Sequence, residues 1–129
     1  MLSNEYMNPD QLKFYWSMLA DQQEQLEDRV AEARTLILEL GSSADPVDLA
    51  VLEEARIEIL RQINHDQNNL SAIRKARERI VSKDFGWCII CDEPIGLARL
   101  LSQPIAERCI EHQHMWEKRL AQMAKGAAL

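Results

Sequence analysis

Positive charge is scarce in this sequence. Against 21 Asp and Glu stand only 15 Lys and Arg, a formal net charge of −6 over 129 residues, which excludes a generally basic nucleic-acid coat. Gly 4 and Pro 4 leave little material for many tight turns, so an all-β fold is unfavoured. Cys 3 is too few, and odd in number, for a disulfide scaffold. The first residues, Met1-Leu2-Ser3-Asn4-Glu5-Tyr6, have neither the basic start nor the apolar core of a secretory leader. A reducing, cytoplasmic setting is therefore expected. Apolar runs such as Leu36-Ile37-Leu38 and Leu49-Ala50-Val51-Leu52 fall far short of the roughly 20 residues a bilayer needs, so no membrane span is expected.

What the chain has is helical periodicity. Hydrophobic residues make up 47% and aromatics only 5%, a composition suited to narrow apolar seams. Asn8-Pro9-Asp10-Gln11 reads as a helix start: Asn8 can accept from free backbone N–H groups, Pro9 fits the first helical position, and Gln11 can reach back to the cap. Leu12, Trp16, Leu19, Gln23, Leu26, Val30, Ala33, Ile37 and Leu40 then follow alternating steps of four and three, the a/d seam of a coiled coil. Gly41 is a natural stop. Asp45-Pro46-Val47-Asp48 starts a second helix, with Asp45 as cap and Asp48 near the positive helix end. Its seam runs through Leu49, Leu52, Arg56, Ile59, Ile63, Asp66, Leu70, Ile73, Arg77 and Ile80. A link this short makes the two helices antiparallel neighbours, each supplying the other's core. Residues 12–40 alone would rise ~40 Å, so the turn is expected far from the chain's ends.

Near Ser82-Lys83-Asp84-Phe85-Gly86 the periodicity breaks, and a different signal begins. Cys88-Ile89-Ile90-Cys91 and Cys109-Ile110-Glu111-His112 form the pattern C-x2-C-x17-C-x2-H. Two such knuckles can set four donors around one tetrahedral Zn²⁺, because each short loop turns its two ligands to the same side. His114 is a substitute for His112, although the symmetric spacing favours His112. Four protein ligands close the metal to water, which points to a structural zinc; it would stabilise a segment that holds too few large side chains for a core of its own. Three unrelated thiols with a chance histidine, or a Cys88/Cys91 redox switch, are the competing readings.

The fold class expected is mainly α. A long antiparallel coiled-coil hairpin spans 1–83 with its tip at 41–48, a zinc-finger module spans 84–114, and a C-terminal helix covers 115–129. Met115, Leu120 and Met123 give that last helix an apolar stripe expected to pack on the head. Arg74, Lys75, Arg77, Arg79 and Lys83 form a basic cluster, read chiefly as a solvated helix face near a C-terminus and alternatively as a docking surface.

These residues resemble the DksA/TraR family of zinc-finger transcription factors. Phe85-Gly86-Trp87-Cys88, Cys91, Ile95-Gly96, Arg99-Leu100, Pro104, Ala106 and Cys109 fall where the family has Phe-Gly-aromatic-Cys, Cys, Ile-Gly, Arg-Leu, Pro, Ala and Cys. Asp45-Pro46-Val47-Asp48-Leu49-Ala50 is similar to the D-x-x-D-x-A motif at the family's coiled-coil tip, and Glu5-Tyr6-Met7-Asn8 resembles the lead-in to its first helix. The resemblance implies a regulator without catalytic activity that binds RNA polymerase rather than promoter DNA. Its coiled coil would enter the secondary channel, with Asp45, Asp48 and Ala50 as tip residues acting on open-complex stability. Ribosomal RNA promoters would be repressed and some biosynthetic promoters activated, as in the stringent response. A monomer is expected.

The chain departs from the family pattern at His112, where the fourth cysteine is usual, and at Asp92, where glycine is usual. Longer members also carry an extension before Glu5, and some bind guanosine tetraphosphate. The positions aligned with that site are His65, Asn69, Ala72, Gln103 and Gln113, none of them a permanent cation, which implies weak or no alarmone dependence. Two other functions compete. A transcript-cleavage-stimulating factor would also carry an acidic coiled-coil tip, although such factors lack this cysteine module. A zinc-finger DNA binder would need a basic finger, whereas 84–114 holds Asp84, Asp92, Glu93, Glu107 and Glu111 against Arg99 and Arg108. No Ser/His/Asp arrangement suggests a hydrolase.

Overall fold

The computed structural model describes residues 7–128. Glu5 and Tyr6 of the lead-in motif lie outside the described residues. Among the described residues four helices follow one another: α1 (Pro9–Leu40), α2 (Pro46–Ser82), α3 (Leu97–Ser102) and α4 (Ile110–Ala128). An isolated antiparallel bridge joins Trp87 to Pro94. The described residues pack as two compact units, Ser17–Lys75 and, together, 7–16 with 76–128.

Local chemistry sets the helix boundaries. The Gln11 N–H donates to Asn8 Oδ1 at 2.8 Å while the Asn8 N–H donates to Gln11 Oε1 at 2.9 Å, a reciprocal capping box that satisfies two donors otherwise left open. Gly41, just past α1, sits at φ 65, a left-handed conformation that a side chain would disfavour. Asp45 caps α2 by accepting the Val47 N–H on Oδ1 at 2.9 Å. At the far end of α2, Lys83 takes φ 70. There the Lys83 N–H donates to Ile80 O at 3.3 Å and the Asp84 N–H to Arg79 O at 2.8 Å, the paired bonds of a Schellman turn. Glycine is usual at that position, so the lysine costs about 1–2 kcal/mol of backbone strain.

In the Ser17–Lys75 unit the two helices are antiparallel. Arg29 pairs with Asp66 and Gly41 with Arg56, so partner numbers fall on α2 as they rise on α1. Val30, Ile63 and Leu70 are buried together, with Leu26, Ala33, Ile37 and Ile59 packed around them. Each buried aliphatic contributes about 1.5–3 kcal/mol, which explains why the two seams close on each other. Asp66, a polar seam position, is only 2% exposed. It accepts from Gln62 Nε2 at 3.1 Å and lies 3.4 Å from Arg29 Nε. Because a carboxylate left unpaired inside is costly, Arg29→Ala is expected to lower stability by about 1–2 kcal/mol in urea melts. Arg29→Met with Asp66→Leu is expected to match or exceed the original, since a well-packed apolar pair carries no desolvation penalty.

The other unit corrects the seam at its base. Tyr15, outside the expected a/d pattern, is 5% exposed, whereas the seam residue Trp16 is 36% exposed. The reason is a change of partner: Tyr15 packs on Phe85 of the cysteine segment, with ring centroids 5.3 Å apart. Trp16 instead lies under the guanidinium of Arg77, 4.1 Å from its ring centroid. Phe85, Leu100 and Cys88 are fully buried here, and Ala76, Ile95 and Ala106 are also buried.

Two further expectations change. The C-terminal helix begins at Ile110 rather than 115, so it starts inside the cysteine pattern. Its stripe of Met115, Leu120 and Met123 is exposed, not packed on the head. The basic cluster is also not one solvated face. Arg74, Lys75 and Lys83 are exposed, but Arg77 stacks on Trp16 and Arg79 is drawn inward.

Candidate functional site

The end of α2 delivers the chain directly into the first knuckle. After the Schellman turn, the Ile95 N–H donates to Gly86 O at 2.8 Å and the Cys88 N–H to Glu93 O at 2.8 Å, folding 86–95 back on itself. The turn closes through Asp92, whose N–H donates to Cys88 O at 3.0 Å with φ 59. Aspartate thus occupies the left-handed position where the family pattern has glycine, as its short polar side chain allows. The second knuckle is a helix start. Cys109 O accepts the Gln113 N–H at 2.9 Å, so Cys109 stands immediately before α4 and His112 stands on its first turn. Residues three apart there share a side, which is why the C-x2-H spacing works.

The four donors converge. One ligand atom from each of Cys88, Cys91, Cys109 and His112 lies within 4.8 Å of every other. Cys91 Sγ is 3.9 Å from Cys109 Sγ and Cys88 Sγ is 4.0 Å from His112 Nδ1. A tetrahedron built on ~2.3 Å Zn–S bonds has edges of about 3.8 Å. Cys109 Sγ and His112 Nδ1, at 3.0 Å, stand closer than that. Three soft thiolates and an imidazole suit zinc, and with four protein donors no position is left for water. His114 is exposed and lies outside this group.

Electrostatics favour the thiolate at Cys88. Burial pushes the Cys88 thiol up, but the backbone N–H groups of Cys109, Cys91 and Ile90, with the Cys91 side chain, outweigh it and bring the pKa down to about 6. Cys91 moves the other way: a backbone bond at Glu93 lowers it, and burial together with the neighbouring Cys88 and Cys109 sulfurs prevails and raises it. The sulfurs are close enough that the first thiolate formed opposes the next.

Sequence reasoning missed the layer that supports this centre. Arg79 reaches from α2 to Glu107 Oε2 at 3.4 Å and to Ala106 O at 3.5 Å. Arg108 pairs with Glu107 Oε1 at 3.0 Å and stacks on Trp116, while Arg99 Nε donates to Arg108 O at 3.3 Å. The Ile89 N–H donates to Glu107 O at 3.0 Å, tying this network to the first knuckle. Burial lowers the Arg79 pKa, with Glu107 and Asp84 opposing the shift. A signal existed in Arg108, which directly follows an acidic residue that precedes Cys109 by two positions. Spacing alone could not show that Arg79 joins them from another helix.

Of the other residues picked out from the sequence, Asp45 lies in the hairpin turn and Asp48 and Ala50 lie at the start of α2. Asp45, Asp48 and Ala50 are all exposed. Asp45 is engaged by its cap bond and its N–H donates to Ser43 Oγ at 3.2 Å. Among the described residues Asp48 makes no ion pair. His65, Asn69 and Ala72 lie on α2, with Asn69 Nδ2 3.4 Å from His65 Nε2. Gln103 caps α3, and Gln113 on α4 donates to Glu117 Oε1 at 3.1 Å.

The fold and the cluster define a helical-hairpin protein with a structural zinc finger. Residues 83–113 match the family described as the prokaryotic dksA/traR C4-type zinc finger. The chain is 35% identical over 121 residues to the RNA polymerase-binding transcription factor DksA of Escherichia coli, covering 93% of this chain and 80% of that protein. It is 32% identical over 123 residues to the protein of the same name from Buchnera aphidicola, covering 95% and 82%. The structure of transcription factor DksA2 from Pseudomonas aeruginosa superposes with a TM-score of 0.81 at 36% identity, covering 94% of each chain. The chain belongs to the DksA/TraR family, and its Cys88, Cys91, Cys109 and His112 cluster serves structural zinc binding. No helix among the described residues is long and apolar enough to cross a membrane.

Proposed function

We propose that this chain is an RNA polymerase-binding transcription regulator without catalytic activity of its own, acting through the turn between α1 and α2. The turn enters the polymerase secondary channel and changes the lifetime of the open complex, lowering output at ribosomal RNA promoters and raising it at some biosynthetic ones. The relatives named as polymerase-binding factors support the partner. The observation that carries the mechanism is the exposed Asp45, Asp48 and Ala50 at a turn built by capping bonds. In Ser17–Lys75 the α1 segment 17–40 rises about 36 Å, long enough for a narrow opening and a poor shape for enclosing a small substrate.

A polymerase pull-down joined to an open-complex decay assay tests this reading. Retention on polymerase with a shortened open-complex lifetime supports it; a protein that binds promoter DNA without polymerase would overturn it. A stalled-complex cleavage assay separates it from a transcript-cleavage factor, since an acidic turn could in principle place a second Mg²⁺ at a polymerase centre.

Alarmone dependence follows from the same alignment. His65, Asn69, Ala72, Gln103 and Gln113 offer no permanent cation to a ligand carrying several phosphates. Guanosine tetraphosphate is therefore expected to change transcription by this protein little or not at all. Strong potentiation that disappears on mutating Gln103 or Gln113 would contradict that expectation.

A further inference from the structure

Arg56 is a charged residue in the middle of an apolar seam, and the structure shows where its charge goes. Arg56 Nη2 donates to Gly41 O at 2.9 Å, reaching back 15 residues from α2 to the end of α1. Its Nη1 pairs with Glu53, one turn earlier on α2. The Arg56 side chain is 25% exposed, largely withdrawn from solvent, while Glu53 is 53% exposed.

The electrostatics explain why α1 takes such a partner. A helix C-terminus leaves carbonyl oxygens without N–H donors and carries a partial negative charge. A basic residue in the last turn usually answers both needs. Here the last turn of α1 has none and carries Glu39 instead, which adds negative charge to a negative end. Arg56 supplies from the second helix what the first helix lacks. The bonded carbonyl also belongs to Gly41, the left-handed residue at which the chain leaves α1. From there the turn is held by short-range bonds, the Asp45 N–H to Ser43 Oγ, the Val47 N–H to Asp45 Oδ1 and the Leu49 N–H to Asp45 O.

We infer that Arg56 is a positioning residue for the acidic turn: its guanidinium ties the end of α1 to α2 and so sets the direction in which Asp45 and Asp48 are presented. This inference rests on the proposed role of the turn in the polymerase channel. A planar fork suits the task because it meets a carbonyl and a carboxylate together, whereas a lysine offers a single point of charge.

The test compares full-length Arg56→Ala, Arg56→Lys and Asp48→Asn for polymerase affinity, open-complex lifetime, thermal melting by circular dichroism, and backbone amide relaxation. Arg56→Ala is expected to bind polymerase within about twofold of the original and to need on the order of tenfold more protein for the same lifetime effect. Arg56→Lys should recover part of that loss, because an ammonium still reaches the carbonyl. Amides of 41–45 should gain fast motion in Arg56→Ala while those of Ile63 and Leu70 do not. If Asp48→Asn abolishes the lifetime effect and Arg56→Ala leaves it intact, Arg56 has no positioning role and the functional reading stands. If Asp48→Asn changes nothing, the functional reading fails and this inference with it. A loss in Arg56→Ala that tracks falling helicity, or that Arg56→Lys does not relieve, would make Arg56 a stabilising residue only.

Discussion

Asp48→Asn is expected to leave polymerase binding nearly intact and to abolish the change in open-complex lifetime. The substitution keeps size and shape and removes one charge. Asp48 lies in the first turn of α2, is exposed, and makes no ion pair among the described residues. Its structural worth is therefore limited to its interaction with the helix dipole, about 0.3–1 kcal/mol. A loss that small cannot unfold the hairpin, so a functional defect would report on the charge itself. Asp45 needs a different design, because its carboxylate also caps α2. Asn caps as well as Asp does, whereas Ala costs about 1 kcal/mol. Asp45→Asn thus removes the charge and retains the cap, while Asp45→Ala removes both. Comparing the two separates the turn's electrostatics from its architecture. A lifetime effect that survives in both Asp48→Asn and Asp45→Asn would remove the acidic turn from the mechanism.

Removing the zinc is expected to have the largest effect on stability. A structural zinc in finger peptides contributes about 10–16 kcal/mol, comparable to the whole 5–15 kcal/mol stability of an ordinary domain. The cysteine segment has little with which to replace it: Phe85 and Leu100 are its fully buried large side chains, beside Cys88 itself. Cys109→Ser, or a strong chelator, should release about one zinc per chain and loosen α3 and the start of α4. The Ser17–Lys75 unit has its own core at Val30, Ile63 and Leu70, so much of the helical circular dichroism should persist. His112→Cys should keep the metal, since it restores a four-thiolate set, and His112→Ala should weaken its retention. Metal analysis that finds no zinc in freshly purified protein would refute the site.

Much of this was legible in the sequence where the chemistry was local. The Asn8 and Gln11 box, the stop at Gly41 and the cap at Asp45 all join residues within four positions of each other, so the residue types alone carry the signal. The cysteine pattern was legible for a related reason: each knuckle is a short loop, and only the meeting of the two is long-range. The choice of His112 over His114 rested on that same symmetry, and the donor cluster contains His112. Polar seam residues were visible only as interruptions. What each of them does depends on a partner elsewhere in the chain.

By itself, then, the sequence determined the two long helices, their capping and their antiparallel pairing, and it marked three cysteine donors with His112 favoured over His114 as the fourth. Those features follow from periodicity and from bonds between near neighbours. Tertiary structure decided the rest. It put Tyr15 inside and left Trp16 under Arg77, because α1 meets Phe85 at its base instead of a second apolar seam. It turned Arg79 from a member of a basic face into a support for Glu107, and it gave Arg56 the carbonyl of Gly41. A charged side chain is long and can serve solvent, a carboxylate or a helix end equally well. Only the packed chain, by fixing which of these lies within hydrogen-bond reach, selects one.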